Sequence, residues 1–101
     1  MWGYRSDKVA FLVMIENQIT VQNSLGVHMR PAGQIVRVCS TYKAEVFLGR
    51  NGQEVNAKSV LGVLSLAAER GAVLTVRIDG PDEKDAHEAL VELFATHFGE
   101  G

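Results

Sequence analysis

Apolar positions along this chain switch repeatedly between a period of two and a period near 3.6, and each switch marks a new element. Ile15, Ile19 and Val21 share one parity, which predicts a half-buried strand over Ile15–Val21, and Asn23-Ser24-Leu25-Gly26 breaks it. From Met29 the period lengthens. Ala32, Ile35, Val36 and Cys39 then give a helix one face to bury, with an end expected near Thr41. Ala44, Val46 and Leu48 alternate with Glu45 and Phe47 as a second strand, and Asn51-Gly52 turns the chain because this pair readily takes positive φ. Gln53 to Val55 returns as a short third strand. Ser59 stands as the N-cap of a second helix in which Val60, Val63, Leu64 and Ala67 repeat the helical spacing until Arg70-Gly71 closes it.

Leu74, Val76 and Ile78 alternate in a fourth strand that stops at Asp79-Gly80-Pro81. The last helix opens on Asp82, Glu83 and Asp85, acids that favour a helix N-terminus, and carries Ala86, Ala89, Leu90, Leu93 and Phe94 on one stripe before fraying at Gly99. The order βαββαβα predicts an α+β domain: one sheet covered by helices on a single face, in two layers.

Length and composition narrow the class. A chain of 101 residues supports one modest core, and 47% hydrophobic residues with 22% charged exclude disorder. The net charge of -2 argues against a nucleic-acid module, which would carry a basic face. Cys39, the single cysteine, rules out an internal disulfide and a multi-cysteine zinc site; it reads as buried filler in a protein of the reducing cytoplasm. No apolar run approaches the roughly 20 residues of a membrane span, so no membrane insertion is expected. The run Val9–Ile15 ends at Glu16 without a small-residue cleavage pattern, which speaks against a signal peptide. Residues 1–13 differ in character from the rest and read as an N-terminal extension, appended or preceding a true start at Met14, with the domain at 14–101. His87 and His97 fall on the last helix as ordinary surface or boundary residues. No close histidine pair suggests a metal, and no cofactor is expected.

The chemistry concentrates in Gly26-Val27-His28-Met29-Arg30-Pro31-Ala32. Proline suits a first helical turn and glycine lets the chain bend into it, so His28 should stand at a helix mouth. Unpaired N–H groups there, from Met29, Arg30 and Ala32, together with the positive end of the helix dipole, make an anion site, to which Arg30 adds a permanent charge. A neutral imidazole is a nucleophile near neutral pH, its ordinary pKa being about 6.5. His28 and Arg30 are therefore the candidate catalytic pair for phosphoryl transfer, a reaction that asks mainly for positioning and electrostatic stabilisation.

Two stretches resemble the histidine-containing phosphocarrier (HPr) family of the bacterial phosphoenolpyruvate-dependent sugar phosphotransferase system. One is Leu25 to Ala32; the other, Asn56-Ala57-Lys58-Ser59-Val60-Leu61-Gly62-Val63-Leu64-Ser65-Leu66, resembles that family's regulatory serine segment. The resemblance covers Met14 to about Phe98. It implies an open-faced sandwich with a four-stranded antiparallel sheet in the order 1-4-2-3 and three helices on one side. It also implies that His28 receives phosphate on Nδ1 from enzyme I and delivers it to an enzyme IIA domain, and that an HPr kinase/phosphorylase modifies Ser59. Met29 is bulkier than the residue usual at its place, Gly33 stands where alanine is commoner, and the first thirteen residues have no counterpart. Val60, Leu61 and Leu64 are too many apolar groups for a short helix to bury. They are expected to leave a docking patch beside His28, rimmed by Arg30 and Lys58. Two other readings compete: a non-catalytic regulatory relative acting through the Ser59 helix, which would not need the histidine, and a small anion- or RNA-binding domain, which the net acidity weakens.

Overall fold

In the computed structural model, which describes residues 14–101, the chain runs β1 (Ile15–Thr20), α1 (Met29–Ser40), β2 (Glu45–Arg50), β3 (Gln53–Asn56), α2 (Val60–Ser65), β4 (Val73–Asp79) and α3 (Glu83–Ala95), followed by one 3-10 turn, His97–Gly99. The expected extension lies outside the described residues. The strands form one antiparallel sheet in the order β1-β4-β2-β3, the expected open-faced α+β sandwich.

Register follows from the alternation. Ile78 lies between Ile15 and Val46, and Val76 between Asn17 and Leu48, so these rows present their apolar side chains to the helices. The alternate rows face solvent, and there Arg77 places its guanidinium 4.5 Å from the Phe47 ring centre while pairing with Glu54 at 2.7 Å. That covers part of the open face. On the other side α1 buries Ala32, Ile35 and Cys39, α2 buries Val63, and α3 buries Ala86, Leu90 and Phe94. Burial pushes the Cys39 thiol up to about 12, which makes it a packing group rather than a nucleophile. No helix among the described residues is long and apolar enough to cross a membrane.

Two local features fix the connections between elements. The Asp82 carboxylate accepts the backbone N–H groups of Lys43 and Ala44 at 2.8 Å each, bonds that hold its carboxyl below the ordinary aspartate value. Asn51 and Gly52 both adopt positive φ, 52° and 81°, giving the tight hairpin between β2 and β3 that Asn-Gly predicts.

The second helix corrects the sequence reading. It ends at Ser65, not at Arg70-Gly71. Its last turn tightens, with Leu66 N–H on the Val63 carbonyl and Ala67 N–H on Leu64, and Ala67 then enters the left-handed region at φ 49°. Tertiary partners take the carbonyls that follow the shortened helix. Arg50 donates to Leu66 and Ala67, and Val27 N–H donates to Ala68 at 2.8 Å. Ala67 is consequently exposed, whereas Leu66 and Ala68 are buried. Smaller differences lie at element ends: β1 stops at Thr20, β3 runs on to Asn56, and His97 stands in the 3-10 turn beyond α3.

Leu48 is completely buried at the centre of the sheet. Leu48→Ala should lower unfolding free energy by about 2–5 kcal/mol, read from urea denaturation; an unchanged midpoint would contradict this core.

Candidate active site

The turn before α1 is built around one glycine. Gly26 has φ +70°, and a Cβ there would sit 2.6 Å from the Ala68 carbonyl oxygen and 2.8 Å from Glu69 Cα, so no side chain fits. Buried Asn23 donates through Nδ2 to the Gly26 carbonyl at 2.8 Å. The chain then straightens, and His28 becomes the N-cap of α1 with φ -87° and ψ -166°. This is the helix mouth that the sequence predicts.

The cap also corrects one assignment. Ala32 N–H donates to the His28 carbonyl at 2.9 Å, closing the first helical bond, so its amide is not free for an anion. Pro31 has no N–H. In this first turn of α1 the amides left without an acceptor are those of Met29 and Arg30.

The His28 side chain is 38% exposed, and its Nε2 lies 3.0 Å from Glu100 Oε1 and 3.3 Å from Oε2. Arg30 Nη1 donates to Glu100 Oε2 at 2.9 Å and to the Phe98 carbonyl at 3.1 Å. Asn23 Nδ2 completes the group, donating to Glu100 Oε1 at 2.9 Å. With two acceptors on Nδ2 the amide orientation is fixed, because a flip would set Oδ1 against two oxygens. Hydrogen bonding from His28, and then from Asn23, holds the Glu100 carboxyl below the ordinary glutamate value.

Glu100 is the site residue that sequence reasoning misses. It arrives because the chain reverses after α3. His97, Phe98 and Gly99 all take positive φ, 56°, 57° and 76°, conformations costly for the first two. Phe98 anchors that reversal, buried edge-on against Phe94 with ring centres 4.8 Å apart. Ser24 then fastens the tail, its backbone N–H donating to the Gly101 carbonyl at 2.7 Å. The available signal was the large apolar Phe98 just before the predicted fraying at Gly99, with an acid two residues later.

Ser59 occupies the N-cap of α2 as expected, its exposed hydroxyl accepting Gly62 N–H at 3.1 Å. Leu61 is 80% exposed, and Val60 and Leu64 are half-buried. Met29 and Leu25 are exposed as well. Lys58 departs from the reading as a rim charge: its Nζ donates to the Tyr42 carbonyl at 2.9 Å and the side chain is half-buried. A carbonyl just past the end of α1 takes the ammonium that was assigned to a partner.

The family model for the phosphotransferase-system HPr component phosphorylation site matches residues 15–96. The chain belongs to the HPr family. It is 47% identical over 87 residues to phosphocarrier protein HPr of Xylella fastidiosa strain Temecula1, covering 86% of this chain and 98% of that protein. The HPr of Cupriavidus necator is 41% identical over 88 residues, covering 87% and 99%. Among solved structures, HPr-C-His from Thermoanaerobacter tengcongensis superposes with a TM-score of 0.83 at 36% identity, covering 86% of this chain and 98% of that one. That membership supports a general phosphocarrier role in the phosphotransferase system.

Because the Glu100 carboxyl is depressed in the folded protein, its contribution to stability is complete above the ordinary glutamate value of about 4.3. It is lost as pH falls through the lower folded value. Carbon-13 titration of the Glu100 carboxyl should give a midpoint below that ordinary value; a midpoint at or above it would contradict the bonded geometry.

Proposed function

We propose that this chain carries a phosphoryl group on His28, taking it from enzyme I charged by phosphoenolpyruvate and passing it to an enzyme IIA domain. The supporting observation is a half-exposed imidazole at the N-cap of α1, beside two unbonded amides and a guanidinium. Met29 and Arg30 supply N–H donors at the positive end of the helix. Arg30 spends Nη1 on Glu100 and Phe98, and its other guanidinium donors remain for phosphate oxygens. These groups need to stabilise the charge-spread transition state more than the phosphohistidine, since only the difference lowers the barrier in either direction.

Met29 and Leu61, with half-buried Val60 and Leu64, form the face on which partners dock in this reading. A patch of few large apolar groups suits brief encounters, as a carrier that must leave each partner requires. Ser59 is the regulatory position, phosphorylated by an HPr kinase/phosphorylase. Its exposed hydroxyl supports this role, and phosphate there would add about -1.5 to -2 charges beside the docking face. The cytoplasm is the proposed compartment. The competing reading, a regulatory relative without phosphotransfer, would leave the capping geometry of His28 and Arg30 without a use.

Incubation with phosphoenolpyruvate and cognate enzyme I should add the mass of one phosphoryl group to the native protein and none to His28→Ala. An unchanged mass in the native protein would defeat the proposal. Arg30→Ala should slow phosphoryl exchange about tenfold while the circular dichroism spectrum stays native; equal rates would remove its assigned role. Ser59→Asp should weaken charging by enzyme I, and unchanged charging would remove the proposed switch.

A further inference from the structure

We propose that Arg50 is a positioning residue for His28: from the end of β2 it clamps the loop after α2, and that loop sets where the imidazole stands. The inference rests on the phosphocarrier reading and names a residue that acts on the transfer through the backbone. Arg50 shares its side of β2 with buried Val46 and Leu48, and its side chain is only 20% exposed. Nη1 donates to the Leu66 carbonyl at 3.1 Å and to the Ala67 carbonyl at 2.7 Å, while Nη2 donates to the Glu69 carboxylate at 2.8 Å. A guanidinium can hold several acceptors at once because its donors lie in one rigid plane.

The clamp sits where the backbone resists. Ala67 follows the C-cap of α2 at φ 49°, in the left-handed region that glycine usually fills at this position. The conformation is unfavourable for alanine, so bonds from outside the helix have to hold it. The Leu66 and Ala67 carbonyls belong to the peptide units on either side of Ala67 Cα, and Arg50 grips both. One residue later the Ala68 carbonyl accepts Val27 N–H at 2.8 Å, and Gly26 lies too close to Ala68 and Glu69 for any Cβ. His28 N–H donates to the Gly26 carbonyl at 3.0 Å, so the cap moves with that turn.

Other bonds secure the rest of the loop. Gly71 N–H donates to the Val21 carbonyl at 2.8 Å, and Val21 N–H donates to the Ala72 carbonyl at 2.9 Å. Gln53 Nε2 donates to Ser65 Oγ at 3.0 Å and holds the last turn of α2 to the hairpin. Loss of Arg50 therefore falls on Leu66, Ala67 and Ala68, the stretch that meets Gly26 and Val27. Phosphoryl transfer depends on placement of the nucleophile, and a displacement of about 1 Å can cost on the order of a hundredfold in rate.

The experiment pairs rapid-quench charging by phosphorylated enzyme I with hydrogen exchange at the Val27 amide, in the full chain and its variants. Arg50→Ala should lower the maximal charging rate about tenfold, with the half-saturating concentration of enzyme I unchanged. Exchange should quicken at Val27 and stay as in the native protein at Val76, in the sheet. Arg50→Lys, which has one ammonium in place of the planar fork, should fall between the native protein and Arg50→Ala in both readouts. Ala67→Gly alone should charge at the native rate. Combined with Arg50→Ala it should restore most of the lost rate, because glycine takes the left-handed conformation without a clamp. Should Arg50→Ala not fold, Arg50→Lys with and without Ala67→Gly makes the same comparison. Native charging rates in Arg50→Ala and Arg50→Lys would overturn the proposal. So would a change confined to the half-saturating concentration, which marks a partner contact, or a lost rate that Ala67→Gly does not restore. A native protein that takes no phosphoryl group from enzyme I overturns the phosphocarrier reading itself, whereas the other adverse results leave that reading standing and remove only the role of Arg50.

Discussion

The site depends on the approach of Gly26 to the backbone of Ala68 and Glu69, too close to admit a side chain. That contact, with Val27 N–H on the Ala68 carbonyl, joins the loop after α2 to the turn before α1. It fixes where the helix begins, and therefore which residue caps it. Were α2 to continue to Arg70 as its apolar spacing suggests, the Leu66 carbonyl that Arg50 takes would be spent inside the helix, and the non-helical path that brings the Ala68 carbonyl to Val27 N–H would be lost. The shortening of α2 and the placement of His28 are two consequences of one choice of hydrogen-bond partner. Arg50 reinforces that choice from the β2–β3 hairpin by bonding the carbonyls of Leu66 and Ala67.

Much of the fold was legible because its strands alternate cleanly and its longer helices carry a single apolar stripe. The four strands, α1 and α3 all rest on periodicity that tertiary contacts reinforce. The end of α2 was not legible, because Val60, Val63, Leu64 and Ala67 fit helical spacing while the competing bonds come from residues far away in sequence. The strand order came from the family resemblance and not from alternation, which says which face a residue takes but not which strand lies beside it.

At the site the same division holds. His28 and Arg30 were readable because glycine and proline bracket them, and local backbone preferences dictate a helix start. Ala32 was misassigned: a helix mouth offers free amides only until the cap carbonyl claims one. Lys58 was assigned to the surface by its charge, whereas its stem is long enough to reach the Tyr42 carbonyl. For Glu100 the local pattern offered only an apolar Phe98 with an acid two residues later, which does not show where that acid goes. Its place depends on two non-glycine residues in left-handed conformation and on the burial of Phe98 against Phe94. Three groups of opposite or complementary character meet there: an imidazole ring, a permanent cation and a carboxylate.

The most direct test of the central claim locates the phosphoryl group itself. Nitrogen-15-labelled protein charged with phosphoenolpyruvate and enzyme I should show phosphorus-31 coupling to a ring nitrogen of His28. Coupling to a ring nitrogen of His87 or His97, or a phosphate ester on Ser59 in place of any phosphohistidine, would contradict the account.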